Sequence, residues 1–432
     1  MTAAEAPRAR GLHLRRRPTH GSTVIRRRTR MLALVAVLGP GLLAGLSDDD
    51  PAGITTYSVL GAQFGYQLLW VLLASTIALI LFHDLGARMG VVTGQGLIGL
   101  IRQRYGVKAA AGAVTVLVIA NLGTTCAEFA GVAAAGELFG VSRYLSVPIA
   151  ALGVSALVLR GNFHHIEHVL MGISALFITY IAAGILAHPD WGEALHGLLV
   201  PSMPASRDAV LIATATVGTT LAPWGLSFIQ SYAVDKKLSE DDLRYERVDV
   251  VTGSVLTGVI GTFVVVACAA TLHVQGVTVE DATDAARALE PLAGDLAGTL
   301  FAVGLLGAGI LAASILPLST SYSVCEFAGV ESALDDHFED AKLFYATFAV
   351  VTAVAVVIVL IPGAPLVPIL VLTQVLNAVL LLPLLVFMFG IARDRDLMGE
   401  FTAGPGLSVA YGVAIAVIAA CVGALGILTL TS

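Results

Sequence analysis

Eleven long apolar runs restrict this chain to a bundle of membrane-spanning helices. Of its 432 residues, 57% are hydrophobic and 13% are charged, whereas soluble domains carry about 25% charged residues. A helix of ~20 apolar residues is long enough to cross a bilayer. The sequence therefore predicts an all-α polytopic membrane protein, with spans 1 to 11 near residues 31–59, 68–88, 109–139, 144–160, 166–187, 208–233, 248–272, 294–325, 343–361, 364–391 and 407–430.

The basic residues predict the orientation of these spans. Residues 1–30 carry nine arginines. If the loops alternate from a cytoplasmic N-terminus, only Arg143, Arg207 and Arg287 of the 24 Lys and Arg residues lie outside. Cytoplasmic loops carry such an excess. We therefore expect a multi-pass protein of the plasma (inner) membrane with its C-terminus outside. Orientation accounts for the arginine tail without a Tat signal or a nucleic-acid partner.

Spans 1 and 6 are each interrupted by a proline, in Asp50-Pro51-Ala52-Gly53 and Ala222-Pro223-Trp224-Gly225. Proline lacks a backbone donor and glycine disfavours a helix, so the first helix should unwind across residues 48–53. Span 6 is the fifth span after span 1, so spans 1 and 6 run in opposite directions. This is the geometry of a 5+5 inverted repeat. After a cytoplasmic tail (1–30), we expect one transmembrane domain (31–432), comprising two repeats (31–187 and 208–391) and an additional helix (407–430).

The first break places the carboxylates of Asp48, Asp49 and Asp50 at mid-membrane. A charge at that depth costs at least about 2.5 kcal/mol, so it usually has a function. Broken helices in matching halves indicate a transporter's substrate site, because unwound backbone frees carbonyl groups to hold an ion. Asp50 with the carbonyls of Ala52, Thr219 and Ala222 would form a hard oxygen site. The alternative is that the three acids only cap the next half-helix.

Other polar residues in the spans are candidates for an ion pathway. Thr220 offers a hydroxyl beside the second break, and span 3 contributes the intramembrane acid Glu128, flanked by Thr125. The alternative role of Glu128 is a hydrogen bond to a neighbouring helix. Gln374 and Asn377 form a polar stripe in span 10, and such a stripe often only joins helices.

Several motifs together resemble the NRAMP divalent-metal transporters. They cover nearly all of the chain after residue 31 and comprise Gly39-Pro40-Gly41, Asp50-Pro51-Ala52-Gly53, Gly61-Ala62-Gln63-Phe64-Gly65-Tyr66-Gln67-Leu68-Leu69-Trp70, Val91-Val92-Thr93-Gly94, Ala127-Glu128, His188-Pro189-Asp190-Trp191, Arg244-Tyr245-Glu246-Arg247 and Gly304-Leu305-Leu306. The resemblance implies a LeuT-like fold, here of eleven helices, and import of divalent metal ions across a lipid bilayer. No resident cofactor is expected, and the oligomeric state is not predicted.

The chain departs from the family pattern at the implied metal site. Typical members have Asp-Pro-Gly-Asn in span 1 and Met-Pro-His in span 6. Here Asp50 matches the Asp, but Gly53 replaces the Asn and Ala222 replaces the Met. A thioether favours soft transition metals, and its loss removes that preference. A wider site suits Mg(II), which retains several waters. The pattern thus resembles the NRAMP-related magnesium transporters, and we expect Mg(II), and also Mn(II), as the transported ion.

The same comparison predicts weak proton coupling. In typical members the span-6 His and a span-3 Asp belong to the proton route, and Trp224 and Thr125 stand at those positions. Imidazole, with a pKa near 6.5, suits proton exchange. Its absence leaves the membrane potential, about 2.3 kcal/mol per charge per 100 mV, to drive the cation inward. The alternative is a proton-coupled Mn(II) or Fe(II) importer that tolerates the altered ligands.

Two further function classes stay open. An amino-acid carrier of similar fold is disfavoured, because the acids at the first break would repel a carboxylate. His164-His165-Ile166-Glu167-His168 fits H-x-x-E-H, an inverted zinc-protease signature, and would make the chain an intramembrane zinc hydrolase. Five residues match such a pattern easily. We therefore expect this segment to be a loop among lipid headgroups and the chain not to be an enzyme.

Overall fold

The structure, a computed structural model, describes residues 39–160, 163–277, 279, 295–330, 341–362 and 366–431. Within these ranges every regular element is a helix. The spans run over Pro40–Ser47 (1a), Pro51–Phe64 (1b), Leu69–Thr93 (2), Val107–Leu138 (3), Arg143–Arg160 (4), Phe163–Ser174 and Ile178–Leu186 (5), Arg207–Thr220 (6a), Pro223–Asp235 (6b), Leu243–Cys268 (7), Asp295–Ala328 (8), Lys342–Leu360 (9), Leu366–Ala392 (10) and Pro405–Thr431 (11).

The eleven predicted spans are all present. In the described part of the chain, nine helical segments are long and apolar enough to cross a membrane. The other two are span 1, which is split into halves, and span 4, whose apolar stretch Arg143–Leu159 is shorter. Short helices connect the spans at Leu97–Tyr105, Trp191–Leu199 and Arg395–Met398. The predicted tail, residues 1–30, lies outside the described residues.

The first break is shorter than the sequence predicts. Residues 48–50 alone separate spans 1a and 1b, and residues 221–222 separate spans 6a and 6b. Pro51 and Pro223 are each the first residue of a half-helix, where a proline is tolerated because that position needs no backbone donor. The prediction that residues 51–53 unwind is therefore wrong, since Pro51 starts span 1b instead of disrupting it.

The broken spans lie at the centre of the bundle. The most apolar stretch of span 6 is 89% buried, whereas that of span 11 is 11% buried. The buried spans 1 and 6 pack closely on their neighbours through glycine. A side chain on Gly41 or Gly45 would collide with span 7, and one on Gly218 would collide with span 10. Span 11 is accordingly the peripheral, additional helix of the fold.

Asp249 of span 7 holds the start of span 1a. Its Oδ2 accepts hydrogen bonds from the N–H groups of Gly39 (3.0 Å) and Gly41 (2.7 Å). These donors belong to the first turn of the helix, where no intrahelical acceptor is available. Asp249 is fully buried. Span 1a is therefore fixed to span 7 by a buried carboxylate.

We expect Asp249→Ala to lower the midpoint of thermal unfolding in detergent. Removing a buried acceptor costs about 1–3 kcal/mol per donor left without a partner. Asp190→Ala is a matched control, because Asp190 also accepts two backbone N–H groups, from Gly192 and Glu193, but is exposed. An exposed cap contributes about 1 kcal/mol. Equal shifts for the two variants would contradict a special role for Asp249.

Candidate functional site

The break in span 1 gathers three buried acids. Asp48, Asp49 and Asp50 are each at most 2% exposed. Among the described residues, neither carboxylate oxygen of Asp48 or of Asp49 has a hydrogen-bond partner. Buried carboxylates are normally paired or bound to a cation. The segment between spans 1a and 1b therefore has the chemistry of a cation site.

Asp50 caps span 1b. Its Oδ1 accepts a hydrogen bond from the Gly53 N–H. Capping is thus part of its role, as the alternative interpretation expected for the acids. A carboxylate has about four acceptor positions on two oxygens, so one hydrogen bond occupies only part of what it can accept. Asp48 and Asp49 precede the cap, and capping does not account for them.

Span 6a faces the first break at Gly53. The position that a Gly53 Cβ would occupy lies 2.8 Å from Thr219 Oγ1, 2.9 Å from the Asp48 carbonyl oxygen and 3.1 Å from Asp50 Oδ1. The Thr219 hydroxyl has no hydrogen-bond partner in the described chain. Three oxygen atoms from two broken helices thus converge on the face of Gly53 that carries no side chain. We name these atoms the oxygen cluster.

Glu128 of span 3 is close to this cluster. Gly131 lies about one turn after Glu128 in span 3, and a Cβ on it would lie 2.3 Å from the Cβ of Pro51. The carboxyl groups of Glu128 and Asp50 are close enough to interact electrostatically. Neither Glu128 oxygen accepts a hydrogen bond from a described residue. Two adjacent carboxylates repel each other unless a proton or a cation lies between them.

The remaining predicted residues lie around the second break. Ala222 caps span 6b with extended backbone, and Thr219 and Thr220 are the last helical residues of span 6a. The Thr220 hydroxyl bonds the Tyr57 hydroxyl at 2.9 Å and the Thr216 carbonyl. Thr219 therefore lies in the last turn of span 6a, directly before the second break, and its role as an ion ligand stays a prediction.

Thr125 and Trp224 do not supply obvious ligands. The Thr125 hydroxyl donates to the Asn121 carbonyl of its own helix at 2.6 Å. The Trp224 ring is buried, and within the described residues its Nε1 has no acceptor. Its carbonyl accepts a hydrogen bond from Ser319. Ala52 is likewise buried, and its carbonyl accepts from the Thr56 hydroxyl.

The polar stripe of span 10 joins helices. Asn377 Nδ2 lies 3.2 Å from Thr124 Oγ1 of span 3 and 3.2 Å from Gln374 Oε1. The Gln374 backbone carbonyl abuts Gly218 of span 6a. Gln374 Nε2 and Asn377 Oδ1 have no partners among the described residues. The stripe thus connects spans 3, 6a and 10 beside the breaks.

His83 is a residue that the sequence interpretation missed. It lies in span 2, is fully buried, and has no described partner at either ring nitrogen. The position of a Gly225 Cβ lies 3.2 Å from His83 Nε2 and 3.3 Å from Asp48 Oδ1. The sequence does contain a signal for this residue. His83 is an ionisable residue inside an apolar span, and such residues usually have a function.

The H-x-x-E-H segment does not form a loop. It lies in the first turns of span 5, so the prediction of a headgroup loop is wrong. Glu167 is buried and forms an ion pair with Lys236 at 2.6 Å. The side chain of His164 lies outside the described residues. In the described part of the chain, no three His, Cys, Asp or Glu side chains form a preformed metal site. A cation at the breaks would therefore need backbone oxygens and water as additional ligands.

Two inverted five-helix repeats with broken first helices define the class of this protein, a LeuT-like membrane transporter. Residues 41–428 match the family described as natural resistance-associated macrophage protein-like, Nramp. The chain belongs to this family. Its members are transporters, so the chain is not an enzyme and the zinc hydrolase alternative is excluded.

Curated relatives and solved structures agree with this assignment. The chain is 29% identical over 404 residues to the divalent metal cation transporter MntH of Burkholderia ambifaria, covering 91% of this chain and 88% of the relative. The structure of the Eremococcus coleocola manganese transporter superposes with a TM-score of 0.75 at 19% identity, covering 96% of this chain and 90% of the other. Mhp1, a nucleobase-cation-symport-1 transporter, superposes with a TM-score of 0.56 at 15% identity, covering 90% of this chain and 91% of Mhp1.

Proposed function

We propose that this chain imports divalent metal ions, with Mn(II) as the principal substrate. The oxygen cluster at Gly53 carries the proposal, because it joins a buried acid, a free hydroxyl and a carbonyl at the junction of two broken helices. The relatives that match the chain are named divalent metal cation transporters, and the solved homologue is a manganese transporter. Asp50 would supply the charge, while the carbonyls of Thr219 and Ala222 with water complete the ligands; the predicted Ala52 carbonyl is used instead within span 1b, where it accepts a hydrogen bond from the Thr56 hydroxyl.

Mg(II) is the second candidate substrate. Gly53 and Ala222 favour Mg(II), because neither residue can supply a side-chain ligand. The comparisons give the predicted preference for magnesium no support and fit the alternative, a Mn(II) transporter, better. Oxygen ligands accept both ions. The two candidates therefore have to be separated by measurement.

The test is metal uptake into proteoliposomes, with Mn, Mg, Ca and Cd compared with and without a pH gradient. Uptake of Mn(II) exceeding that of Mg(II) at equal concentration supports the proposal. Uptake of Mg(II) alone would support the second candidate, and no metal uptake would contradict both. Weak proton coupling stays a prediction from Trp224 and Thr125. Acidification of the liposome interior during metal uptake would contradict it.

Ala222→Met tests the assignment of Ala222. A thioether introduced beside the oxygen cluster adds a soft ligand, which favours Cd(II) over hard cations. We expect Cd(II) to inhibit Mn(II) uptake at a lower concentration in this variant and Mg(II) uptake to decrease. The control is Ala222→Leu, which adds a side chain of similar volume at the same position without a sulfur. Unchanged inhibition by Cd(II) would indicate that Ala222 lies away from the ion.

A further inference from the structure

A second group of polar side chains lies beside the oxygen cluster, in the half of the bundle that contains spans 1a and 6b. Asp48 Oδ1 from the first break and His83 Nε2 from span 2 both lie within 3.3 Å of the position of a Gly225 Cβ. Both side chains are fully buried. In the described chain, neither Asp48 carboxylate oxygen and neither His83 nitrogen has a hydrogen-bond partner. Three helices thus bring an acid and an imidazole to one uncovered face of a glycine.

An unpaired buried carboxylate opposite an imidazole is suited to a metal ion. Leaving both groups without partners in a low-dielectric interior is costly. A divalent cation held directly or through one water satisfies both, because carboxylate and neutral imidazole are common metal ligands. Gly225 supplies the space, since a side chain there would contact both groups.

Asp48 connects this place to the oxygen cluster. Its carbonyl oxygen lies 2.9 Å from the Cβ position of Gly53, while its carboxylate lies 3.3 Å from that of Gly225. One residue therefore faces both places. A transport path needs several weak sites, since one tight site would not release its ion.

We infer that Asp48 and His83 form a second metal station, which takes a first-row transition ion such as Mn(II) in preference to Mg(II). The inference rests on the proposed transport function. A nitrogen ligand favours transition metals, whereas Mg(II) prefers oxygen. His83 of span 2 brings an imidazole to Gly225, the residue after Trp224.

The test combines binding and uptake in the purified full chain. Electron paramagnetic resonance with Mn(II) alone counts bound ions, because bound Mn(II) loses the sharp solution signal. The wild-type chain should bind two Mn(II) ions, and His83→Gln should bind one. In proteoliposomes, His83→Gln should lower Mn(II) uptake by about tenfold, as for loss of a group that supports metal binding, with a smaller effect on Mg(II).

Gly225→Ala and Gly86→Ala form a matched pair at the same helix interface. A Cβ on Gly225 meets the two polar atoms at 3.2 and 3.3 Å, whereas a Cβ on Gly86 meets Ile229 at 3.0 Å. The steric load is similar, so Gly225→Ala should lower Mn(II) uptake while Gly86→Ala should not. Equal effects of the pair, or equal losses of Mn(II) and Mg(II) in His83→Gln, would indicate a structural pair bridged by water and overturn the inference.

Failure of the inference differs from failure of the proposed function. If the wild-type chain transports Mn(II) and Asp50→Ala does not, the central site stands whatever His83→Gln does. If His83→Gln binds as many Mn(II) ions as the wild type, the second station is absent. If the wild-type chain transports no metal, the function itself is wrong.

Discussion

Replacing Asp50 with Ala should abolish metal uptake. Asp50 is the buried acid of the oxygen cluster, and it adjoins Glu128. The attraction lost is that between the Asp50 carboxylate and the cation; for unit charges about 4 Å apart it is worth about 4 kcal/mol at an effective dielectric constant of about 20, which corresponds to more than about 100-fold in ion affinity. Uptake of Mn(II) into proteoliposomes by Asp50→Ala should therefore equal that of empty liposomes.

Asp50→Asn separates the charge of this residue from its capping role. Asn caps a helix about as well as Asp, so this variant can keep the bond from the Gly53 N–H and a near-native unfolding temperature. We expect it to be inactive as well, because it lacks the negative charge. Normal uptake by Asp50→Asn would show that Asp50 only caps span 1b.

Gly53→Ala should also cause a large loss of uptake. The added methyl would lie 2.8 Å from Thr219 Oγ1 and 2.9 Å from the Asp48 carbonyl oxygen, distances at which one helix must shift. Overpacking costs about 1–3 kcal/mol, and about 1.4 kcal/mol is a tenfold change in affinity. The measurement is Mn(II) uptake as a function of Mn(II) concentration.

Gly112→Ala is the control for this substitution. Gly112 also lies in a membrane span, but a Cβ there meets no atom within 4 Å. This variant should transport like the wild-type chain and unfold at the same or a higher temperature, because Ala favours a helix over Gly. If Gly53→Ala transports normally, the oxygen cluster does not form the ion site.

The sequence was sufficient to predict the architecture. Apolar length gives the eleven spans, and the prolines at 51 and 223 mark both breaks. The extent of the breaks was not predictable from propensity alone. Whether a proline disrupts a helix or begins one depends on the cap, and here Asp50 provides that cap for span 1b.

The neighbours of the site could be predicted only in part. Asp50, Glu128 and Thr219 stand out as polar residues in apolar or broken segments, and the structure places them together. His83 and Asp249 were missed, because their meaning depends on which helices pack against them. Contacts such as His83 with Gly225 join residues far apart in the chain, and no local pattern records them.

The central claim is that a divalent ion binds where the two broken helices meet. The most direct measurement is anomalous diffraction from crystals soaked in Mn(II), recorded for the wild-type chain and for Asp50→Ala. The account predicts a strong anomalous peak within coordination distance of the Asp50 carboxylate in the wild type and no such peak in the variant. A wild-type chain with its anomalous density elsewhere, and none beside Asp50, would contradict it.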